Sequence, residues 1–267
     1  MEKPQTRAES GMLTSERRLV ILEFLRRDGK VLASDLSREL GVSLDTVRRD
    51  LRELDEEGLL QRVHGGALPR SRTPIPYAAR ERVAPAAKEA IARAAARLIK
   101  DGQVVILDSG TTAVQVARHL APGLRATVWT ASPLVASVLA EHPDVEVAIV
   151  GGRLDKETLA VAGAEAVDAL RRVRADVCLL GVGCLHPEFG VSVPGMEEAS
   201  VKRAMVSGAA EVVALASAEK LGTLAHYSVA TMAELTHLVT EWDTPDEVLA
   251  PYVAAGVTIV RGDRMRS

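Results

Sequence analysis

Seven aromatic residues in a chain of 267 (2 Trp, 3 Tyr and 2 Phe) leave little material for stacking unpaired bases. That excludes a platform for single-stranded nucleic acid, which works by ring-on-base stacking. Two cysteines, Cys178 and Cys184, are too few for a disulfide framework or a cysteine-rich zinc site. Both fall in or beside an apolar stretch and read as small core residues. The six histidines show no clustered ligand spacing, so neither a metal site nor a cofactor is expected. No apolar run approaches the roughly 18 residues of a membrane span. The opening stretch MEKPQTRAESGMLTSERR lacks the apolar core of a signal peptide. The expected compartment is the cytoplasm, with no membrane partner.

A net charge of −3 is too near neutral for a protein coated in nucleic-acid-binding surface, but a local patch is compatible with it. What is present is core material: 47% of the residues are hydrophobic and 26% charged. The length fits one or two domains. Charge divides unevenly along the chain. Residues 1–82 hold 16 Lys+Arg against 14 Asp+Glu, hence +2, and residues 83–267 hold 17 against 22, hence −5. Within 61–82 stand Arg62, Arg70, Arg72, Arg80 and Arg82 against Glu81 alone, with His64 in addition. Either a solvated linker or a phosphate-facing surface explains such a run.

Helical spacing of Leu19, Val20, Leu22 and Leu25 predicts a first helix from Ser15 to Arg27, stopped by Asp28-Gly29. A short second helix reads over ASDLSREL (33–40) and ends at Gly41 as a left-handed cap. Ser43 then caps a third helix, 44–57, on which Val47, Leu51 and Leu54 form the buried stripe. Thr46, Arg48, Arg49 and Arg52 lie off that stripe. Two short helices about a tight glycine turn, the second with outward Thr and Arg, have helix-turn-helix geometry. Arg donates two parallel hydrogen bonds to guanine, and Ser or Thr donates to phosphates or base edges. An ordinary solvated face with pairs such as Asp45–Arg49 fits the spacing too. Gly58 ends the helix, and LLQRVHGGALP reads as a hairpin turning at Gly65-Gly66. The result is a winged helix-turn-helix, with Arg62 and His64 of the wing reaching the phosphate backbone.

The PRSRTPIP segment, with three prolines, marks a boundary. Beyond an Ala-rich helix (86–99), strands and helices alternate. The strands are 103–107, 126–130, 145–150, 176–180, 211–216 and 237–240; helices start at Thr112 and Pro133 and cover 164–172 and 197–208, and a last helix and strand follow. This pattern predicts a mostly parallel sheet with helices on both faces and ligands at the strands' carboxyl ends. The expected boundaries are a tail over 1–13, a winged helix-turn-helix over 14–69, a linker over 70–83 and an α/β domain over 84–267.

Strand QVVIL runs straight into Asp108-Ser109-Gly110-Thr111-Thr112 and a helix. Hydroxyls, a glycine and a helix N-terminus suit a phosphate, a plain capped turn fits as well, and no Gly-Lys-Ser/Thr follows to make a Walker loop. Thr130-Ala131-Ser132 with Pro133 is equally a helix start or a ligand contact. Gly152-Arg153 is a turn or a cation at the same mouth. Lys202 stands one turn after Glu198, as in a surface ion pair, and Lys220 follows a strand where an ammonium could meet a phosphate.

The run S-x-x-T-V-R-R-D-L followed by G-L-L-x-R-V-H-G-G-A, within Glu16 to Ala67, resembles the winged-helix domain of the DeoR family of bacterial sugar-metabolism regulators. The resemblance continues through LDSGTT, TAS, GGRLD, ADVCLLGVG, EEASVKRAM and LASAEKLG. It implies that Ser43, Thr46, Arg48 and Arg49, with Ser34, Arg52 and the wing, face double-stranded operator DNA. It implies a second domain similar in fold to ribose-5-phosphate isomerase, in which Ser109 to Thr112 hold the phosphate of a sugar, assisted by Lys202 and Lys220. Asp108, Thr130, Ser132, Gly152, Arg153 and Glu198 complete the candidate ligand set. Ser217 and Glu241 depart from the family's pattern and alter which sugar hydroxyls are recognised.

A competing reading is a sugar-phosphate isomerase fused to a DNA-binding unit, which needs a carboxylate base α to a carbonyl. Asp108, Asp176 and Glu198 are the candidates. Asp176 precedes its strand, Glu198 has a partner in Lys202, and GVGCLHPEFG lacks the acidic motif that the isomerases carry there. The expected activity is therefore regulatory, most plainly repression of a carbohydrate operon, by a homodimer or higher homo-oligomer on paired half-sites.

Overall fold

A computed structural model describes residues 12–70 and 76–264. Most of the expected tail, residues 71–75 of the expected linker (with Arg72) and the last three residues lie outside the described residues. The chain divides into two compact units, Met1–Arg70 and Ser71–Ser267.

The first unit runs α1 (Thr14–Asp28), β1 (Val31–Leu32), α2 (Ala33–Leu40), α3 (Leu44–Glu56), β2 (Gln61–Val63) and β3 (Gly66–Leu68). Ser43 caps α3 by accepting from the Thr46 N–H at 3.1 Å, and Gly41 closes α2 in the left-handed region. Val47, Leu51 and Leu54 are buried with Ile21, Leu25, Leu36 and Leu60. On α1 the spacing misplaces the buried row. It runs through Arg17, Ile21 and Leu25, whereas Leu19 is 63% exposed. Electrostatics explains the rotation: Arg17, 6% exposed, donates from Nε and Nη2 to the two oxygens of Asp50, 1% exposed, at 2.5 and 3.0 Å. Asp50 sits on the same buried face of α3 as Val47 and Leu54. The turn of the wing is His64-Gly65, because Val63 already pairs with Gly66. Gly66 also pairs with Leu32, so β3 lies between β1 and β2 in a small antiparallel sheet.

The second unit opens on α4 (Tyr77–Glu81), a helix inside the segment expected to be linker. Tyr77 is buried in the core of this unit, and its apolar ring anchors the helix there. Then follow α5 (Pro85–Ala96), β4 (Val104–Leu107), α6 (Thr111–Arg118), β5 (Ala126–Thr130), α7 (Pro133–Leu139), β6 (Val145–Ile149), β7 (Arg153–Asp155), β8 (Ala160–Ala162), α8 (Ala164–Arg171), β9 (Ala175–Gly181), β10 (Cys184–His186), β11 (Gly190–Val193), α9 (Met196–Ser207), β12 (Ala209–Leu215), β13 (Tyr227–Ala230), β14 (His237–Thr240), α10 (Asp246–Ala254) and β15 (Thr258–Arg261). Seven strands form one sheet in the order β15-β14-β12-β9-β4-β5-β6, every pairing parallel. Two additions went unanticipated, the β7–β8 hairpin and the antiparallel sheet β10-β11-β13.

Alternation along the central strands supplies both faces of the sheet. Val105, Leu107, Val177, Leu179, Val213 and Leu215 join the core under α5, α6 and α7. Ile106, Cys178, Leu180, Val212 and Ala214 join the core with α8, α9 and α10. Such two-sided burial is why these strands read as unbroken apolar runs. Both cysteines are buried, and burial pushes the Cys178 thiol up from its ordinary value. After β4 the chain adds β5 and β6 on one side and later returns to add β9 on the other, so the order of strand addition reverses between β4 and β9. A crevice at the carboxyl ends of these two strands follows from that topology.

The buried Arg17–Asp50 pair gives the first testable expectation. Arg17→Met leaves a carboxylate buried without its partner and should destabilise the winged-helix unit by about 3 kcal/mol. Adding Asp50→Leu should restore most of that loss. Urea unfolding of the full chain followed at the first transition measures both; a single-variant loss below about 1 kcal/mol rejects the pair as the link between α1 and α3.

Candidate functional site

In the first unit the candidate DNA-facing residues lie outside the core. Ser34, Ser43, Arg48, Arg49, Arg52, Arg62 and His64 are exposed and Thr46 half-buried. Arg48 pairs with Asp45 at 3.4 Å, in place of the expected Arg49, and Ser43 Oγ lies 2.8 Å from Thr46 Oγ1. A weak exposed pair of this kind is easily exchanged for a phosphate or base contact. Arg62 stands on β2 and His64 in the turn after it, so the wing presents a guanidinium and an imidazole.

In the second unit a cleft lies at the carboxyl ends of β4 and β9. Ser109, Gly110, Thr111 and Thr112 line it, from the turn that leads β4 into α6. Gly110 adopts φ +97°, a conformation that side chains disfavour and that turns the chain sharply into the helix. Glu198, Lys202 and Lys220 also line the cleft.

Asp108 sits behind this loop, 1% exposed. One of its oxygens accepts from the Gly181 N–H at 2.9 Å and from Lys202 Nζ, and the Lys202 ammonium also donates to the Gly181 carbonyl at 2.9 Å. Lys202 is therefore not the surface residue its spacing to Glu198 suggested. It is 4% exposed, and Glu198 lies farther off at 3.7 Å. Burial opposes its charge, but Asp108 and Glu198 outweigh that cost and raise the ammonium above the usual lysine range. Lys220 lies in a short turn, Ala218–Lys220, after β12. Burial is the main cause that lowers it to about 8, with Lys88, Lys202 and Arg80 adding to the fall and Glu219 opposing it. The two family departures support this turn: Ser217 Oγ donates to Glu219 at 2.6 Å, and Glu241 accepts the Ala218 N–H at 2.6 Å.

Besides Asp108, which lies behind the loop, the ligand candidates Thr130, Ser132, Gly152 and Arg153 do not line the cleft, and neither does Asp176. Thr130 and Ser132 are buried and work within the backbone, Thr130 Oγ1 accepting from the Ser132 N–H at 3.1 Å and Ser132 Oγ capping α7 at 3.3 Å. At Gly152 a Cβ would meet Val161 Cγ1 at 2.8 Å and the Ala162 carbonyl at 3.0 Å, so close packing demands the glycine. Arg153 is exposed and paired with Glu197. Asp176 accepts the Val104 N–H at 2.7 Å, at the opposite end of the strands from the cleft.

Other lining residues had gone unrecognised: Arg80, Lys88, Glu219 and the Gly181-Val182-Gly183 bend. Arg80 was grouped with the basic run of 61–82, yet it belongs to the second unit. Lys88 was legible: it stands three residues before Ile91 and four before Ala92, on the buried face of α5, where a lysine needs a reason. Burial, opposed by Glu219 and aided by Arg80, lowers its pKa.

A winged helix-turn-helix with a basic outer face, followed in the chain by an α/β unit with a cationic cleft, defines a ligand-sensing DNA-binding regulator. The chain belongs to the DeoR family: the DeoR-like helix-turn-helix domain matches residues 17–73 and the DeoR C-terminal sensor domain residues 83–242. It is 37% identical to the transcriptional regulator GlpR of Haloferax volcanii, over 94% of this chain and 99% of that one. It is 36% identical to the transcriptional repressor GlcR of Bacillus subtilis, over 86% and 89%, and 28% identical to the glycerol-3-phosphate regulon repressor of Escherichia coli, over 89% and 95%. Among solved structures, ribose 5-phosphate isomerase A of Methanocaldococcus jannaschii aligns with 50% of this chain and 52% of its own at TM-score 0.37 and 18% identity. The full-length sorbitol operon regulator SorC of Klebsiella pneumoniae aligns with 90% and 98% at TM-score 0.42 and 11% identity. Among the described residues no helix is long and apolar enough to cross a membrane.

Removing the Lys202 ammonium should strand Asp108 in the core of the second unit. Lys202→Met is expected to cost that unit about 3–5 kcal/mol, read as a fall in its melting transition by calorimetry. A loss below about 1 kcal/mol would show that the pair is dispensable to the fold.

Proposed function

We propose that this regulator represses a carbohydrate operon by binding double-stranded operator DNA through Ser34, Ser43, Thr46, Arg48, Arg49 and Arg52, with Arg62 and His64 on flanking phosphates. Its operator affinity is set by a phosphorylated sugar in the cleft. The observation that carries the effector reading is the convergence of Arg80, Lys88, Lys202 and Lys220 on the hydroxyl loop 109–112 at the start of α6. Backbone N–H groups at a helix N-terminus, side-chain hydroxyls and ammonium groups are the donors a phosphate needs. Carboxylates such as Glu198 and Glu219 in the same cleft suit sugar hydroxyls. Relatives named for a glycerol-3-phosphate regulon and as the repressor GlcR support an effector of this class and a repressive outcome. One winged helix covers too little DNA for strong specificity, so the protein acts as a homodimer or higher homo-oligomer on paired half-sites. It works in the cytoplasm, where its operator is.

The protein is not an isomerase in this reading, because Asp108, the carboxylate nearest the phosphate loop, is committed to Lys202 and to the Gly181 N–H. A base must be free to take a proton from carbon.

Gel-shift titration of the full-length protein tests both halves. Arg48→Ala and Arg49→Ala should each weaken specific operator binding by about 1–3 kcal/mol, and Arg62→Ala should lower affinity for all sequences and flatten the salt dependence. Unchanged operator affinity in both recognition-helix variants would sink the assignment. A panel of sugar phosphates should include at least one that shifts operator affinity. Its binding should weaken as pH rises through about 8, where Lys220 loses its proton. Below that pH the ammonium is charged among Arg80, Lys88 and Lys202, and a bound dianion holds the proton on. Affinity flat from pH 7 to 9 would remove Lys220 from the phosphate site.

A further inference from the structure

The cations of the cleft are not equivalent. Lys202 already has the Asp108 carboxylate, the Gly181 carbonyl and, farther off, Glu198. Arg80 is the opposite case. Its Nε is buried with no hydrogen-bond partner among the described residues. Its Nη2 donates to the Thr158 carbonyl at 3.2 Å, and its Nη1 lies beside the phosphate loop, 3.9 Å from where a Cβ of Gly110 would stand. Two carboxylates, Glu198 and Glu219, line the cleft against the four cations Arg80, Lys88, Lys202 and Lys220. A guanidinium whose Nη1 faces the hydroxyl loop, beside two crowded ammonium groups, is arranged to receive an anion.

The helix that carries Arg80 has a particular place in the chain. α4 is the first described element after residues 71–75, and so the part of the second unit nearest in sequence to the winged helix. Besides the buried Tyr77 ring, it is held by hydrogen bonds to its neighbours. The Tyr77 N–H donates to the Glu157 carbonyl at 2.7 Å, Arg80 reaches Thr158, and the Arg80 carbonyl accepts from Lys88 Nζ. Both of its supports are strained. Among the described residues only two non-glycine positions have positive φ. Ala84, at 43°, lies between α4 and α5, and Leu159, at 53°, ends the turn that receives Tyr77 and Arg80. Side chains disfavour this region, and such strain collects at switch segments.

We propose that Arg80 is a ligand contact and that α4 is the element through which cleft occupancy reaches the winged-helix unit. The proposal rests on the phosphate-cleft reading above. The ligand's phosphate accepts from Nη1 of Arg80 while Nη2 keeps Thr158, so one planar side chain ties the anion, the turn at 156–159 and α4 together. Lys88 joins the same grip from α5, since its ammonium both faces the cleft and caps α4. Binding then biases the position of α4, and with it the start of the connection to the DNA-binding unit, by differential contact with two states.

The test compares binding with coupling in the full-length protein. Probes are glycerol 3-phosphate, ribose 5-phosphate, glucose 6-phosphate and fructose 1-phosphate, with inorganic phosphate as the minimal anion. Probe affinity is measured by calorimetry, and the ratio of operator dissociation constants is measured with and without saturating probe. The wild-type ratio is expected in the range of about 5–150-fold typical of allosteric coupling. Thr112→Val should weaken probe binding about tenfold yet leave the ratio at saturation unchanged. Arg80→Met should bring the saturated ratio below about 2. A wild-type ratio in saturated Arg80→Met overturns the proposal, whether or not probe affinity has fallen. Should Arg80→Met fail to fold or to saturate, Arg80→Lys, which keeps the charge but loses the fork, is read against the same two outcomes. If no probe changes the operator affinity of the wild type, the phosphate reading itself fails and the proposal falls with it.

Discussion

The buried pair of Lys202 and Asp108 holds the second unit's working end together. Asp108 ends β4, Gly181 ends β9, and Lys202 projects from α9; one ammonium and one carboxylate join all three. Neither charge could stand there alone, since an unpaired ion in an apolar interior is costly. The hydroxyl loop 109–112 is therefore mounted on a fixed base, and so is the bend 181–183 opposite it. The position is the crevice where the order of strand addition reverses. The fold opens a mouth at that point, and the ion pair sets its walls.

The same solution recurs in the first unit at smaller scale. Arg17 and Asp50 form a bidentate buried pair that sets the rotation of α1 against α3. This leaves the opposite face of α3 exposed, with Thr46, Arg48, Arg49 and Arg52 on it, and their exposure is a consequence of what the other face buries. Each unit thus uses one internal ion pair to fix a polar surface: an exposed helix face in one case and a cleft wall in the other.

Much of this was legible in the residues. The capped third helix, the glycine stop of the second and the basic hairpin each have a local cause, a side-chain cap, a left-handed glycine or a two-residue turn. The strand-helix alternation was legible for the same reason, as runs such as VVIL and VCLL are buried on both faces. Thr130 and Ser132 show where local reading misleads. A hydroxyl at a strand end looks the same whether it caps a helix or meets a ligand, and here both turn inward to the backbone. The small sheet β10-β11-β13 was missed because its strands are three or four residues long and its third member lies over thirty residues from the second.

The sequence by itself determined the two-unit plan, the capped third helix and wing, and the hydroxyl loop after β4, because each is built from contacts a few residues apart. Tertiary structure decided which charges meet. Lys202 reaches Asp108 across 94 residues as well as Glu198 across four. Arg80, counted in sequence among the cations of the first unit, lines the cleft of the second. Spacing along a chain predicts the face of a helix, but the partner of a long charged side chain depends on what the sheet brings beside it.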